Sequence, residues 1–258
     1  MKLFFIKQEC EQHTSGPALI MAHGIFGSHE NLGAIARLLV KRFTLYRVDL
    51  RNHGRSPHAD SMSYAEMAAD IAELMDDEGL TTAAVLGHSL GGKVMMELAT
   101  SHPQRVSHLV VGDIAPVTYP NHHDPILEGL QSIQLDSLRS RGDADQQLQT
   151  FVSEPGTRQF LLKNLVRDDD GKFHWRLNLP AIVNNYPLVR QAVGDGRQYL
   201  GPTLFIRGEL SKYIQQRNHA DIFQQFPQAK IETIPGTSHW LHAENPQRFA
   251  ELVIDFIK

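Results

Sequence analysis

Ser89 stands between glycines in the run Gly87-His88-Ser89-Leu90-Gly91-Gly92. A serine hydroxyl attacks an acyl carbon only when a base takes its proton, so a nucleophilic serine has to face a histidine and the substrate together. In Gly87-x-Ser89-x-Gly91 the glycines let a strand and a helix approach closely around a sharp turn. That turn exposes the serine and aims the next backbone N–H, that of Leu90, at a developing oxyanion. An ordinary glycine-rich strand-to-helix turn has the same pattern, so the flanking residues decide. Before the motif lies the apolar run Ala83 to Leu86, and after it the helix-like Lys93 to Ala99. For the base, His239 lies in the glycine-led loop that starts at Pro235-Gly236, whereas His242 approaches the helix start at Asn245-Pro246. His239 is therefore the preferred base.

These residues need a scaffold, and the chain alternates strand-like and helix-like segments. Leu3 to Ile6 reads as an edge strand. Ala18 to Ala22, Thr44 to Leu50, Ala83 to Leu86, Val106 to Val111, Thr203 to Gly208 and Lys230 to Ile234 read as further strands. Between them Leu32, Ile35, Ala36, Leu39 and Val40 share one helical face, and Ser63-x-x-Glu66 is a capping box. The last helix starts with Asn245 as N-cap and Pro246 at its first position. This alternation predicts an α/β fold with a mostly parallel, doubly wound sheet, whose ligand sites lie at the carboxyl ends of the strands. Residues 116–200 break the rhythm. Apolar spacing over Ile126 to Leu138, Phe160 to Leu165 and Pro180 to Val193 is helical, which predicts a helical cap inserted into a core of 1–115 and 201–258.

Composition narrows the class. The chain has 258 residues, 41% of them hydrophobic, and a formal net charge of −4. With no Lys/Arg-rich run, it carries no electrostatic footprint for nucleic acid or an anionic membrane. Its one cysteine, Cys10, excludes an intrachain disulfide and fits a reducing compartment. The apolar stretch Leu3 to Ile6 is too short for a signal-peptide core, and the expected location is cytoplasmic. Two other polar clusters invite a functional reading. Asp49 to Pro57 is rich in turn chemistry and is expected to tie its own loop together. Asp168-Asp169-Asp170-Gly171 lacks the alternating oxygen ligands and distal Glu of a calcium loop and is expected to be a solvated turn.

Four motifs together carry a resemblance: His23-Gly24-x-x-Gly27, Asp49-x-Arg51-x-His53-Gly54-x-Ser56, Gly87-His88-Ser89-Leu90-Gly91-Gly92 and Gly236-x-Ser238-His239-Trp240-x-His242-Ala243-Glu244-x-Pro246. In type and order they resemble the α/β-hydrolases, in particular the bacterial YbfF-type esterases. The resemblance covers both halves of the core, and it reaches the inserted segment mainly through length and helical character. It implies a serine esterase acting on short- to medium-chain acyl esters, with acyl-CoA thioesters as further substrates, and no cofactor or metal. The expected partner is a small-molecule acyl ester or thioester, and the oligomeric state is open.

Ser89 is then the nucleophile and His239 the base, with the N–H groups of Leu90 and Ile25, and Phe26 beside Ile25, as the oxyanion hole. Many such hydrolases place the acid in a Gly-x-x-Asp turn after the strand that follows the cap. Here that turn reads Gly208-Glu209-Leu210-Ser211. Asp113, at the end of the preceding core strand, is the favoured acid, and Glu209 is the substitute. Arg139, Arg141, Lys163 and Arg167 are candidates for meeting the phosphates of a CoA leaving group. A dehalogenase of the same fold needs a carboxylate where Ser89 stands. A cofactor-independent haloperoxidase, an aminopeptidase or a non-catalytic ligand receptor on the same fold stays open, since fold alone does not establish function.

Overall fold

The structure is a computed structural model that describes residues 1–12 and 16–258. In chain order the core elements are β1 (Phe5–Gln8), β2 (Ala18–Ala22), α1 (Gly33–Leu39), β3 (Thr44–Val48), α2 (Tyr64–Asp77), β4 (Ala83–His88), α3 (Leu90–Ser101) and β5 (Val106–Gly112). The inserted segment adds α4 (Asp124–Ser132), α5 (Arg141–Leu148), α6 (Pro155–Leu161), the hairpin strands β6 (Leu165–Arg167) and β7 (Phe173–Trp175), and α7 (Leu179–Val189). The core resumes with β8 (Thr203–Gly208), α8 (His219–Gln225), β9 (Ala229–Ile234), α9 (Leu241–Glu244) and α10 (Pro246–Ile257).

Seven strands form one sheet in the order β1-β3-β2-β4-β5-β8-β9. Only β1 runs antiparallel to its neighbour; every other pair is parallel. The apolar runs become the inner strands because helices cover both faces, so the strands have no solvent face to alternate toward. One face is sealed by α1 and α10, where Leu32, Ile35 and Leu39 share a buried layer with Phe249 and Val253. The other is sealed by α2, α3 and α8 through Met67, Ile71, Val94, Met95 and Ile222. Parallel strands all end on one edge. That edge therefore receives the loops after β2, β4, β5, β8 and β9, which contain every candidate for the triad and the oxyanion hole.

Between β5 and β8 no residue joins the main sheet. The expected helices α4 and α7 are there, but the segment is not wholly helical. Leu165, expected on a helix with Phe160 and Leu161, opens the hairpin that pairs with Trp175. Three-residue strands are too short to register as an alternating pattern, and the Asp168 to Gly171 turn with Gly171 at φ 80° reverses the chain between them. The acidic triplet is thus an exposed hairpin turn. Helix α5, whose apolar pattern is weak, is started by Ser140, which accepts from the Asp143 N–H. The first strand lies two residues later than its apolar run suggests, because pairing with β3 sets its limits.

Polar ties hold the segment to the core. The Asn178 N–H donates to Asn52 O at 2.9 Å, Asn185 Nδ2 to Asp60 O at 2.7 Å, and the Tyr64 hydroxyl to Val189 O at 2.5 Å. Lys93, one helical turn after Ser89, is buried with its ammonium donating to the carbonyls of Val117, Arg190 and Gln191, at both ends of the segment. Burial pushes its amine down to about 7, while three accepting carbonyls favour the charged form. Among the described residues no helix is long and apolar enough to cross a membrane.

Candidate active site

Ser89 sits at the tip of the turn from β4 into α3, at φ 53° and ψ −118°. A Cβ on Gly87 would lie 2.1 Å from the Gly91 carbonyl oxygen, and one on Gly91 only 2.5 Å from that of Ala22. Both positions therefore require glycine for the strand and helix to meet. The Ser89 N–H donates to Gly112 O at 2.9 Å, which locks the turn to the end of β5. The described chain has five non-glycine residues at positive φ, and three of them, Phe26, Ser89 and Asp113, converge here. Such strain costs about 1–3 kcal/mol each and persists where the surroundings enforce it.

His239 Nδ1 lies 2.8 Å from Asp113 Oδ2. With Nδ1–H donating to the carboxylate, Nε2 carries the free lone pair. Asp113 is fully buried, and Gly208 N–H donates to its Oδ1 at 3.2 Å while the Ser211 hydroxyl donates to Oδ2. Ser211, at the position where many such hydrolases carry an acid, thus bonds to the carboxylate supplied by the neighbouring strand. Glu209 points elsewhere: its Oε2 accepts from the Gly236 N–H at 2.8 Å, in an exposed position. The imidazole of His239 is stacked on Tyr213 at 4.0 Å between centroids, and its backbone carbonyl accepts from His88 Nε2 at 2.8 Å. His242 lies behind, 4.3 Å from the His88 ring, and lines neither cavity at Ser89. Tyr213 and the supporting hydroxyl of Ser211 carry no motif that sequence reasoning could have used.

The loop after β2 faces Ser89 across the edge. Among the described residues, the N–H groups of Ile25, Phe26 and Leu90 have no intramolecular acceptor, and the residues line the cavities that contain Ser89. The Asp49 loop is structural, as its turn residues suggested. Asp49 accepts from His29 N–H at 2.6 Å and Arg55 N–H at 2.9 Å, and Arg51 pairs with Asp70 at 2.7 Å.

Two cavities meet at Ser89, Ile25 and His123. One is mostly apolar and is walled by Phe26, Ile126, Phe160, Leu161 and Trp240 beside His239. The other lies on the Leu90 side and is ringed by Tyr64, Tyr119, Tyr186, Tyr213, Lys93 and Arg190. Thr157, Phe160 and Trp240 also border a surface groove that carries Arg37 and Lys163. Of the other basic candidates, Arg141 lines an adjoining groove but spends its guanidinium on Leu165 O. Arg139 and Arg167 line neither groove, and Arg167 lies over the Phe173 ring at 4.4 Å.

Four histidines around the site, His23, His53, His88 and His242, are buried. Burial holds all four below the usual histidine range, to about 3 for His53 and His242. In the unfolded chain each takes up a proton near pH 6.5. Below that pH the unfolded state binds more protons, so the stability present above about 6.5 is lost as the pH falls toward the folded values. At pH 5 His53 and His242 alone cost on the order of 4 kcal/mol, against a total stability of about 5–15 kcal/mol for a typical domain. Urea midpoints are expected to drop steeply between pH 6.5 and 5. A midpoint constant over that range would show that these imidazoles are protonated in the native state.

A mostly parallel sheet with helices on both faces, and a serine, a carboxylate and a histidine gathered at its carboxyl edge, defines an α/β-hydrolase. The sequence profile of the alpha/beta hydrolase family matches residues 19–252, and the chain belongs to that family. It is 39% identical over 249 residues to the sn-1-specific diacylglycerol lipase ABHD11 of Mus musculus, covering 93% of this chain and 81% of the relative. It is 38% identical over 250 residues to Esterase YbfF of Escherichia coli (strain K12), covering 95% of each. Among solved structures it is similar to one described as a marine microorganism esterase, with a TM-score of 0.95, 39% identity and 99% of both chains covered.

Proposed function

We propose that the protein is a serine carboxylesterase that hydrolyses short- to medium-chain acyl esters through an acyl-enzyme on Ser89. The observation that carries this reading is the hydrogen bond from His239 to buried Asp113, beside a cavity that Ser89 and His239 both line. In this reading His239 Nε2 takes the Ser89 proton as Oγ bonds to the acyl carbon, and the N–H groups of Leu90 and Ile25, with Phe26 beside them, hold the oxyanion. The tetrahedral intermediate collapses when the C–O bond to the alcohol breaks and His239 gives its proton to the leaving oxygen. Water, deprotonated by His239, then attacks the acyl-enzyme, and Ser89 leaves with the proton returned. An imidazolium cannot accept a proton, so the rate falls at acid pH.

Because His239 protonates the leaving group, the alcohol belongs in the apolar cavity beside it, and the acyl group in the tyrosine-ringed cavity on the Leu90 side. Residues 116–200 act as a cap, supplying Ile126, Phe160 and Leu161 to the first and Tyr186 and Arg190 to the second. Thioesters of phosphate-bearing thiols fit as an extension, with Arg37 and Lys163 along the exit groove. Turnover of a panel of p-nitrophenyl esters, acyl-CoAs and amides, with a serine-directed phosphonate as inhibitor, tests the proposal. Ester turnover and a phosphonate adduct on the peptide containing Ser89 are expected; failure of both on folded protein overturns it. Lys163→Glu is expected to raise KM for acyl-CoA several-fold and leave the simple esters unchanged. An equal effect on both, or on neither, removes the thioester extension.

A further inference from the structure

The Ile25–Phe26 loop is held by its surroundings and not by its own sequence. It is a turn closed by the Gly27 N–H donating to Gly24 O at 3.0 Å, with Ile25 at negative φ and Phe26 at φ 62°. This is the type II pattern, in which the third residue is ordinarily glycine. An aromatic residue there is strained by about 1–2 kcal/mol. Rotation of the Ile25–Phe26 peptide toward the type I form relieves that strain and turns the Phe26 N–H to the other side of the loop.

Two buried side chains hold the peptides on either side of this one. On the core side, His23 Nε2 accepts from the Leu50 N–H at 3.1 Å, so its Nδ1 carries the proton and donates to Gly24 O at 2.8 Å. On the other side, Asn164 Nδ2 donates to Phe26 O at 2.7 Å and to Leu161 O at 3.2 Å. Asn164 is only 2% exposed and belongs to the inserted segment, between α6 and β6. Among the described residues it is the only hydrogen-bond partner of the Phe26 carbonyl. Leu161, its second partner, also walls the cavity at Ser89.

We propose that Asn164 is a positioning residue that makes the oxyanion hole depend on the docked cap. With the segment seated, Asn164 fixes the Phe26–Gly27 peptide and with it the place of the loop's N–H groups against Ser89; with the segment lifted, that carbonyl loses its partner and the loop is free to shift. The oxyanion hole is then complete only when the cavity is closed. This inference rests on the esterase reading above.

The test is Asn164→Ala, with Asn185→Ala as control. Asn185 is a second buried asparagine of the segment, tied to the core at Asp60 and away from the oxyanion loop. Losing one oxyanion donor outright costs about 10²–10³-fold in kcat. Loosening one is expected to lower kcat by about 10–100-fold in Asn164→Ala at nearly constant KM. Affinity for a trifluoromethyl ketone, whose serine adduct carries the oxyanion, should fall by a similar factor. Asn185→Ala should lower the urea midpoint comparably and keep kcat within about threefold. Equal loss of kcat in both variants, or unchanged kcat in Asn164→Ala, overturns the proposal. If Asn164→Ala does not fold, Asn164→Leu keeps the shape, lacks the donor and decides in the same way. Absence of ester turnover in the wild type would instead overturn the esterase reading itself.

Discussion

Ser89→Ala is expected to lower kcat toward acyl esters by about 10⁶-fold, the loss seen when a triad serine is removed from a hydrolase that works through an acyl-enzyme. The effect is this large because no other nucleophile is in place. Ser89 alone occupies the glycine-bracketed tip where both cavities meet. The variant should fold normally, since alanine removes one oxygen from a side chain that makes no hydrogen bond of its own among the described residues. It should also be blind to the phosphonate that labels the wild type. Steady-state kinetics on highly purified protein, with the variant's mass checked, measure the loss. Retention of more than a tenth of the wild-type rate would reduce the Ser89 turn to a structural device.

Asp113→Asn should lower kcat by up to about 10⁴-fold without unfolding the protein, and Glu209→Gln should leave most activity intact. The carboxylate accepts from His239 Nδ1–H, Ser211 Oγ–H and Gly208 N–H together. An amide in its place presents an N–H₂ group to one of these donors. The imidazole then reverses its tautomer, places its proton on Nε2 and can no longer accept from serine. Glu209 is exposed and bonded to the Gly236 N–H, so its loss touches only a turn. Circular dichroism on both variants separates a catalytic from a folding defect. The opposite ranking, with both folded, would transfer the role of acid to Glu209.

The sequence by itself determined the order of the core strands and helices and the roles open to Ser89 and His239. These are local properties: apolar runs with no solvent face, caps such as Ser63 and Asn245, and glycines that only a close strand-to-helix turn requires. Even the choice between Asp113 and Glu209 had a local basis, because Asp113 ends an apolar core strand. Only parallel pairing supplies its surroundings, since β5 and β8 are neighbours and bring Ser211 under the Asp113 carboxylate instead of a second acid. The hairpin between β5 and β8, the stacking of Tyr213 on His239 and the bond from Asn164 to Phe26 left no trace in spacing or composition. Each joins residues far apart in the chain, 138 positions for Asn164 and Phe26, and such a contact exists only once the sheet and its covering layers have fixed the distance between them.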